Sequence, residues 1–418
     1  MSEPASLGVQ PWMAAAETRG VIAALEASGG AGCARFVGGC VRNAVRREPV
    51  GDIDIATTLQ PDAVSKALQA AGLKAVPTGV EHGTVTAISG GKPFEITTLR
   101  RDVETDGRHA KVAFTDDWAE DAARRDFRLN ALYADADGRI FDPTGEGLAD
   151  ARAGRVVFVG DAETRIREDA LRILRFFRFF AWYGRGDADP DGLAACGKLK
   201  DLVAGLSGER VAKELMRLLA ADDPRPAVRL MAATGVLGVA LPEAQTLGRF
   251  EGLVEIETEQ LFQCDAELRL AALLPADPAA GAAAAGRLRL SNAQRDRLVS
   301  ALGTEPEIVS WISPREMRRV VYRLGVQPFC DRVLLAWAAS ARHAAAIQWR
   351  ALIPMAQSWP APSLPLTGAE VMAAGVPEGP LVGAVMREVE SWWVDQDFIE
   401  DKLSIVERLK AVAQGMVY

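Results

Sequence analysis

The spacing of apolar and polar residues along the chain changes near residue 150. Before that point, short alternating segments dominate: RFVGG reads as a strand and turn, Cys40 to Arg47 as a short helix, and DIDIATT as a second strand. Pro61 to Ala71 is predicted to be helical, with proline at its first position. GTVTAIS and PFEITTLR are rich in Val, Ile and Thr, and the two glycines between them indicate a hairpin turn.

Beyond about residue 150 the strand pattern fades and apolar residues recur at helical spacing. Helices are predicted over 162–183, 208–221, 226–235, 263–273, 290–302, 314–323, 328–356, 368–374, 380–394 and 398–414. The pattern therefore predicts an α+β chain, in which a small head with a mixed β-sheet is followed by a long all-α remainder.

Composition narrows the class of protein. Apolar residues make up 49% and charged residues 25%, and no apolar run is long enough to span a bilayer. No signal peptide is recognised, and the five cysteines form no CxxC pair, which argues against a disulfide framework or a thiolate zinc site. We therefore expect a cytoplasmic protein. The net charge of −8 counts against a wholly basic nucleic-acid surface but allows a local basic cleft.

Two aspartates mark the first candidate site. Asp52 and Asp54 are predicted to share one face of the DIDIATT strand, and hard cations such as Mg²⁺ relieve the repulsion between neighbouring carboxylates. Taken alone, this pattern fits a solvent-exposed strand edge better. Glu95 changes the interpretation, because it is a lone acidic residue in the strongly β-forming PFEITTLR and adds a third carboxylate on a neighbouring strand.

A glycine pair precedes the aspartates. Gly38 and Gly39 end a strand and begin a helix, where the backbone can approach a ligand closely and present N–H groups to an anion. Arg42, on the first turn of that helix, is placed to reach the same phosphates. A glycine pair alone is weak evidence, but GGCVRN followed closely by GDIDIATT is much more specific.

Several motifs now form an ordered set: GGCVRN, GDIDIATT, EITTLR, RRDFRLNAL and EDALRILRFFRF. They resemble the motifs of the class II tRNA nucleotidyltransferases (CCA-adding enzymes) and of the bacterial poly(A) polymerases that share their fold. The resemblance implies a polymerase-β-like nucleotidyltransferase head over 1–150, a helical neck with a base-recognition helix over 151–240, a helical body over 241–340 and a tRNA-binding helical tail over 341–418.

The same resemblance implies roles for the residues of the head. Asp52 and Asp54 match the ligands of two Mg²⁺ ions, and Glu95 matches the third catalytic carboxylate. The glycine turn, Gly38 and Gly39, and Arg42 match the contacts to the nucleotide triphosphate.

The RRD motif adds donors for a nucleotide. Arg124 and Arg125 precede Asp126, and guanidinium groups suit phosphate or ribose oxygens. An isolated RRD is also typical of a surface salt bridge with a capping aspartate. By resemblance Arg125 matches a nucleotide-binding position, and Asn130 is expected to bind a sugar or to fix the loop.

The segment EDALRILRFFRFF is predicted to carry the base selection. Asp169, Arg172, Arg175 and Arg178 recur every three residues, so that on one helix they form a winding stripe. The resemblance implies that Asp169 and Arg172 pair with the Watson–Crick edge of C or A and reject U and G. Arg175 and Arg178 are then expected to hold the triphosphate or to orient that pair.

The polar segment 100–114 is predicted to be a flexible loop. In the resembling enzymes a loop at this place helps to switch from C to A addition, although DGRHA here departs from their usual DGRRP-like sequence. His109 is expected to be a loop residue rather than a general base.

The predicted activity is template-independent addition of CCA to the 3′ end of tRNA, from CTP and ATP, with release of pyrophosphate. The predicted partner is tRNA, bound at its 3′ end and acceptor arm. A poly(A) polymerase, an enzyme that adds only C or only A, and a non-catalytic RNA-binding module remain alternatives. GLKAVPTGVEHGTVT favours tRNA, because the poly(A) polymerases tend to carry a basic, GRRF-like run there. No membrane association and no obligate protein partner are indicated.

Overall fold

A computed structural model describes residues 5–417 except 80, 82, 107–108, 246, 341–344 and 400, and it leaves out the side chains of 102–112 and 416–417. Its internal contacts divide the chain into two compact units, Met1–Pro242 and Glu243–Tyr418. The finer division into head, neck, body and tail stays a prediction.

The first unit contains all of the β-structure among the described residues. Its strands are β1 (Ala34–Val37), β2 (Asp54–Thr57), β3 (Lys74–Gly79), β4 (Thr84–Ser89), β5 (Lys92–Thr98), β6 (Arg100–Asp106), β7 (His109–Phe114), β8 (Tyr133–Ala134) and β9 (Ile140–Phe141). Its helices are α1 (Pro11–Ala14), α2 (Ala16–Gly29), α3 (Gly39–Arg46), α4 (Pro61–Ala70), α5 (Trp118–Ala123), α6 (Gly147–Ala153), α7 (Ala162–Glu168), α8 (Leu171–Tyr183), α9 (Pro190–Lys198), α10 (Gly208–Leu219), α11 (Arg225–Ala233) and α12 (Val236–Ala240).

Seven strands form one mixed sheet in the order β3-β4-β5-β2-β1-β8-β9. Strands β2 and β5 run parallel, while β1 pairs with β2, and β4 with β5, in antiparallel fashion. The β4–β5 hairpin turns at Gly90 and Gly91, whose φ angles of 56° and 77° lie in the left-handed region that glycine adopts without strain. The sheet brings β2 and β5, which are distant in sequence, side by side at its centre.

Three predicted elements differ from the structure in type or continuity, not only in their end residues. The predicted helix 162–183 is interrupted between α7 and α8, because Asp169 is extended, with φ −150° and ψ 107°. The predicted loop 100–114 is wrong in its secondary structure: its two ends pair as the β6–β7 hairpin. The predicted helix 328–356 is two helices, and the residues 341–344 between them lie outside the described part of the chain.

The second unit is helical throughout its described residues. Its helices are α13 (Gly248–Glu259), α14 (Ala266–Leu273), α15 (Pro278–Leu288), α16 (Asn292–Ala301), α17 (Pro314–Leu324), α18 (Val326–Ala339), α19 (Ala346–Ser358), α20 (Gly368–Ala373), α21 (Pro380–Asp395) and α22 (Lys402–Val417). A core around Val385, Val389, Trp393 and Ile405 joins its last helices.

The predicted α+β architecture is confirmed: a small mixed sheet lies in the N-terminal head, and helices follow. Within the described residues, no helix is long and apolar enough to cross a bilayer.

Candidate active site

The carboxylates predicted to be catalytic meet at the β2–β5 pair. Asp54 is the first residue of β2 and stands opposite Glu95 in the parallel register, while the next residues, Ile55 and Ile96, are both 0% exposed. Asp52 lies just before the strand, in a bend, and is exposed. The prediction that β2 begins at Asp52 is therefore wrong by two residues, although Asp54 and Glu95 do lie on neighbouring strands as predicted.

Negative charge accumulates around Asp54. Burial raises the pKa of Asp54, and the nearby charges of Glu95 and Asp52 raise it further, to about 6, against a lowering by Arg125. A cation beside Asp52, Asp54 and Glu95 would offset the cost of burying the charge of Asp54 and the repulsion between the three carboxylates. The donor set consists of carboxylate oxygens, which Mg²⁺ prefers.

The carboxylates fit Mg²⁺ in the form typical of phosphoryl transfer. In the part of the chain that the structure describes, no three His, Cys, Asp or Glu side chains are close enough to enclose a metal ion by themselves. Mg²⁺ at such sites is usually bound by one or two carboxylates and completed by substrate phosphates and water, not by an all-protein cage. Asp52 and Asp54 suit that arrangement.

The glycine turn lies next to an arginine from a distant motif. Gly38 precedes α3 with φ 70° and ψ −121°, a backbone conformation that residues with a Cβ rarely adopt. A Cβ at this position would be 3.6 Å from Arg125 Nη1 and 3.8 Å from the carbonyl oxygen of Asn130. Gly39 is the first residue of α3, so its N–H belongs to the free end of that helix.

Arg42 is more buried than the sequence suggests. Its side chain lies on the Tyr183 ring, 3.7 Å from the centroid, and the residue is only 6% exposed. Nη1 donates to Asn130 Oδ1 at 2.5 Å, and Nε and Nη2 donate to Asn43 Oδ1. Burial lowers the pKa of Arg42, which is opposed by Tyr183 and nearby carboxylates. The structure thus joins Arg42 to Asn130, two of the predicted nucleotide-binding residues.

Asp121 holds both arginines of the RRD motif. Its Oδ1 accepts from Arg124 Nε at 2.8 Å, and its Oδ2 accepts from Arg125 Nη2 at 3.0 Å and from the Tyr133 hydroxyl at 2.7 Å. Burial opposes ionisation of Asp121, but the charges of Arg125 and Arg124 outweigh burial and lower its pKa to about 2.

A second polar network runs from the RRD motif to α8. Asp126 accepts from Asn130 Nδ2 at 3.2 Å and from Arg175 Nε at 2.8 Å. Glu214 of α10 in turn pairs with Arg178 and lies 3.9 Å from Arg175 Nη1. Arg178 is 9% exposed. Arg175 and Arg178 are thus both paired with buried carboxylates, and their predicted role in holding the triphosphate or orienting the base-reading pair stays a prediction.

The helix break lies between the two predicted base-reading residues, although Arg172 N donates to the Asp169 carbonyl oxygen at 3.0 Å. Asp169 Oδ1 accepts from Leu171 N, the first residue of α8, at 3.1 Å, and Arg210 Nη2 donates to both carboxylate oxygens of Asp169 at 3.0 and 2.8 Å. Arg172 lies on α8 itself, where its Nη1 donates to the Arg165 carbonyl oxygen at 2.7 Å and to Glu168. The predicted continuous stripe from Asp169 to Arg172 is thus wrong.

Known proteins support an assignment to a family. Residues 34–157 match the poly A polymerase head domain, and residues 188–247 match a probable RNA and SrmB-binding site of polymerase A. The mitochondrial CCA tRNA nucleotidyltransferase 1 of Mus musculus is 31% identical, over 90% of this chain and 86% of the mouse protein. The chain belongs to the CCA tRNA nucleotidyltransferase family.

Other members of the CCA tRNA nucleotidyltransferase family also match this chain over most of its length. The CCA-adding enzyme of Levilactobacillus brevis is 30% identical, over 89% of this chain and 92% of that protein. The crystal structure of the Bacillus stearothermophilus CCA-adding enzyme in complex with CTP superimposes with a TM-score of 0.76 at 27% identity, covering 96% of this chain and 98% of that one. The resemblance seen in the motifs is confirmed, and the chain is a nucleotidyltransferase.

The charged or polar residues of the site that lay outside the predicted set for this CCA tRNA nucleotidyltransferase include Asp121, Tyr133, Arg210 and Glu214. Glu214 left a signal in the sequence, because it shares the apolar face of α10 with Val211, Leu215 and Leu218, all at most 5% exposed. An acidic residue at such a position requires a buried partner. The other three become visible only when the fold brings their partners together.

Proposed function

We propose that this nucleotidyltransferase adds C, C and A in turn to the 3′ end of tRNA, using CTP and ATP and releasing pyrophosphate. The observation that carries the proposal is the register of Asp54 against Glu95 beside the Gly38 turn, since it joins a carboxylate pair to a glycine turn at a helix N-terminus. The relatives are named for CCA addition, and one was crystallised with CTP.

The proposed reaction is a single displacement at phosphorus. The 3′-hydroxyl oxygen of the tRNA bonds to the α-phosphorus of the nucleotide, the bond from that phosphorus to the bridging oxygen of pyrophosphate breaks, and the hydroxyl proton is released. Asp52 and Asp54 are the proposed Mg²⁺ ligands. When bound, two Mg²⁺ ions would supply charge stabilisation to the attacking and leaving oxygens. Glu95, beside Asp54, is proposed to hold the 3′-hydroxyl.

The phosphates are proposed to lie against the glycine turn. The backbone N–H of Gly39, at the free end of α3, suits a phosphate oxygen, as does the Nη1 of Arg125 that lies close to Gly38. The Gly38 N–H donates to the Leu132 carbonyl oxygen at 3.2 Å, which fixes the turn. Arg42 and Asn130, which bind each other, are proposed to hold this turn in place from beneath.

The base is proposed to be read at the break between α7 and α8. Asp169 offers acceptor oxygens for an exocyclic amino group, which C and A carry and U lacks, while Arg172 offers donors. Arg175 and Arg178 are proposed to act as positioning residues, because both are tied to carboxylates that anchor α8.

The test uses purified protein, tRNA that lacks CCA, and Mg²⁺ with CTP, ATP or both, followed by sequencing of the product 3′ ends. We expect CC with CTP alone and CCA with both nucleotides, and no product from Asp54→Ala. Addition of A tails to unrelated RNA would favour the poly(A) polymerase that the head-domain match also suggests. Addition of only C or only A would identify a partial enzyme.

The cellular compartment is part of the proposal. None of the five cysteines, each of which lies in the described part of the chain, forms a disulfide, and a reducing compartment such as the cytoplasm suits such a protein. Because the mouse relative is mitochondrial, fractionation of the source cells is the deciding measurement.

A further inference from the structure

The guanidinium of Arg125 is held by a buried pair of side chains. Asp121 is 1% exposed and Tyr133 is 0% exposed. Asp121 Oδ2 accepts from Arg125 Nη2 at 3.0 Å and from Nε at 3.3 Å, and the same oxygen accepts from the Tyr133 hydroxyl at 2.7 Å. The Tyr133 hydroxyl also accepts from Arg125 Nε at 3.3 Å. Three groups thus meet around one carboxylate oxygen.

These contacts use the Nε and Nη2 edge of the guanidinium and leave Nη1 directed towards Gly38. Nε and Nη2 serve Asp121 and Tyr133, whereas Nη1 lies beside Gly38, 3.6 Å from where a Cβ would stand. A planar guanidinium fixed along one edge has little freedom to rotate, so the direction of Nη1 is set by the opposite edge.

The charge of the cluster also suits an anion. Asp121 carries a single negative charge but is paired with two arginines, since its Oδ1 is 2.6 Å from Arg124 Nη2 and its Oδ2 is 3.0 Å from Arg125 Nη2. One positive charge therefore remains in excess within this buried group, next to a backbone turn that itself presents N–H groups.

We infer that Asp121 and Tyr133 are positioning residues that aim Arg125 Nη1 at the triphosphate of CTP and ATP. The inference rests on the proposed role of Arg125 in nucleotide binding. The Asp121 carboxylate holds the guanidinium along its Nε and Nη2 edge. The Tyr133 hydroxyl fixes the carboxylate in turn, because it donates to the same Oδ2 that accepts from Arg125.

Tyr133→Phe is the sharpest variant, because it removes only the hydroxyl and keeps the aromatic ring in the core. The Tyr133 ring packs edge-on against Trp118 at 5.2 Å and contributes to the apolar cluster around Val37 and Ala131. Loss of a hydrogen bond to a charged group is expected to weaken CTP binding by about tenfold. Asp121→Asn, which also removes the charge, is expected to weaken it more.

The experiment measures the Kd of CTP by calorimetry on the full chain, together with KM and kcat for addition to tRNA. For Tyr133→Phe we expect a higher Kd and KM with kcat nearly unchanged. In an Arg125→Ala background, Tyr133→Phe is expected to add no further weakening, because its effect acts through Arg125. An unchanged Kd, or the same fold-weakening with and without Arg125, would overturn the inference. Asp121→Asn in the same cycle decides the question if Tyr133→Phe does not fold.

The second unit offers a matched control. The Tyr322 hydroxyl also donates to a carboxylate at 2.7 Å, that of Glu390. Tyr322→Phe should therefore cost similar stability without changing the Kd of CTP; a matching loss of CTP affinity would reduce the Tyr133 effect to a general loss of structure and overturn the inference.

Binding and addition separate the two proposals. If the wild-type chain binds CTP through Arg125 but adds no CCA to tRNA, the proposed function fails and the inference stands. If CCA is added and Arg125→Ala leaves the Kd of CTP unchanged, the inference fails and the proposed function stands.

Discussion

Asp54 and Glu95 stand opposite each other across the parallel strands β2 and β5. Two carboxylates in this position work against folding, since burial and the charge of Glu95 raise the pKa of Asp54 to about 6. The fold nevertheless holds them side by side, next to the fully buried pair Ile55 and Ile96. Such an arrangement is typical of a functional site, where groups are placed for chemistry at a cost in stability.

Asp54→Asn is expected to abolish nucleotide addition and to stabilise the metal-free protein. The amide removes an ionisation penalty of up to about 3 kcal/mol, the free-energy equivalent of the raised pKa. Because the folded pKa of Asp54 lies above its unfolded value, the penalty is complete above about pH 6 and disappears below about pH 4. Urea unfolding at pH 7.5 and at pH 4 should therefore show a gain only at the higher pH.

Asp52→Asn is the control for that experiment. Asp52 is exposed and lies outside β2. The free energy of unfolding of Asp52→Asn should therefore differ from that of the wild type by less than about 0.5 kcal/mol, although nucleotide addition should also be lost. Added Mg²⁺ should stabilise the wild-type protein more than Asp54→Asn. A destabilised Asp54→Asn at pH 7.5 would contradict the prediction.

Gly38→Ala and Gly39→Ala should differ, although the two glycines are neighbours. Gly38 has φ 70° and ψ −121°, so alanine there is expected to cost about 1–3 kcal/mol and to shift the turn beside Arg125. Gly39 is helical, and a Cβ there would be 3.9 Å from Arg42 Nη2, an ordinary contact. Thermal melting should therefore separate the two variants, and equal melting temperatures would count against the role of backbone conformation at Gly38.

The sequence predicted the residues of the site better than their partners. The glycine turn, Asp54 and Glu95 can be predicted from the sequence because a local pattern marks each of them. The glycines stand at a strand end, and the acidic residues stand in β-forming runs. The pairing of Arg178 cannot be predicted in this way, because the sequence pattern of an arginine stripe is the same whether it faces solvent or a buried Glu214 on another helix. The helix break at Asp169 could not be predicted from the sequence for a similar reason, since no glycine or proline marks it. Its extended backbone accompanies an ion pair with Arg210, which lies in a different motif.

Asp126→Asn should destabilise the first unit in a pH-dependent manner. Burial opposes the charge of Asp126, but its pairing with Arg175 outweighs burial and lowers the pKa to about 2. Breaking one partner of a buried pair is expected to cost about 3–5 kcal/mol. Because the folded pKa is depressed, the contribution of Asp126 is complete above about pH 4 and is lost as the pH falls towards 2.

Urea unfolding of wild type and Asp126→Asn at pH 7 and pH 3 checks this, and the difference in free energy should shrink at pH 3. Asp223→Asn provides the comparison, because Asp223 also pairs with an arginine but has a side chain that is 46% exposed. It should cost less than about 1 kcal/mol. A difference for Asp126→Asn that is the same at both pH values would contradict the prediction.

Arg210→Lys should relax the choice of base. Arg210 Nη2 donates to both carboxylate oxygens of Asp169, and a lysine keeps the charge but lacks the planar guanidinium that fixes the carboxylate. If Asp169 reads the exocyclic amino group, a freer carboxylate should lower kcat/KM for CTP and reduce its preference over UTP by about tenfold. Arg225→Lys is the matched control, since Arg225 binds Asp223 through Nε and Nη2 at 2.7 and 2.8 Å, outside the proposed site. Incorporation assays with CTP and UTP on tRNA lacking CCA decide the matter: an equal fall for both nucleotides would mean that Arg210 supports the fold of the site without directing its selectivity.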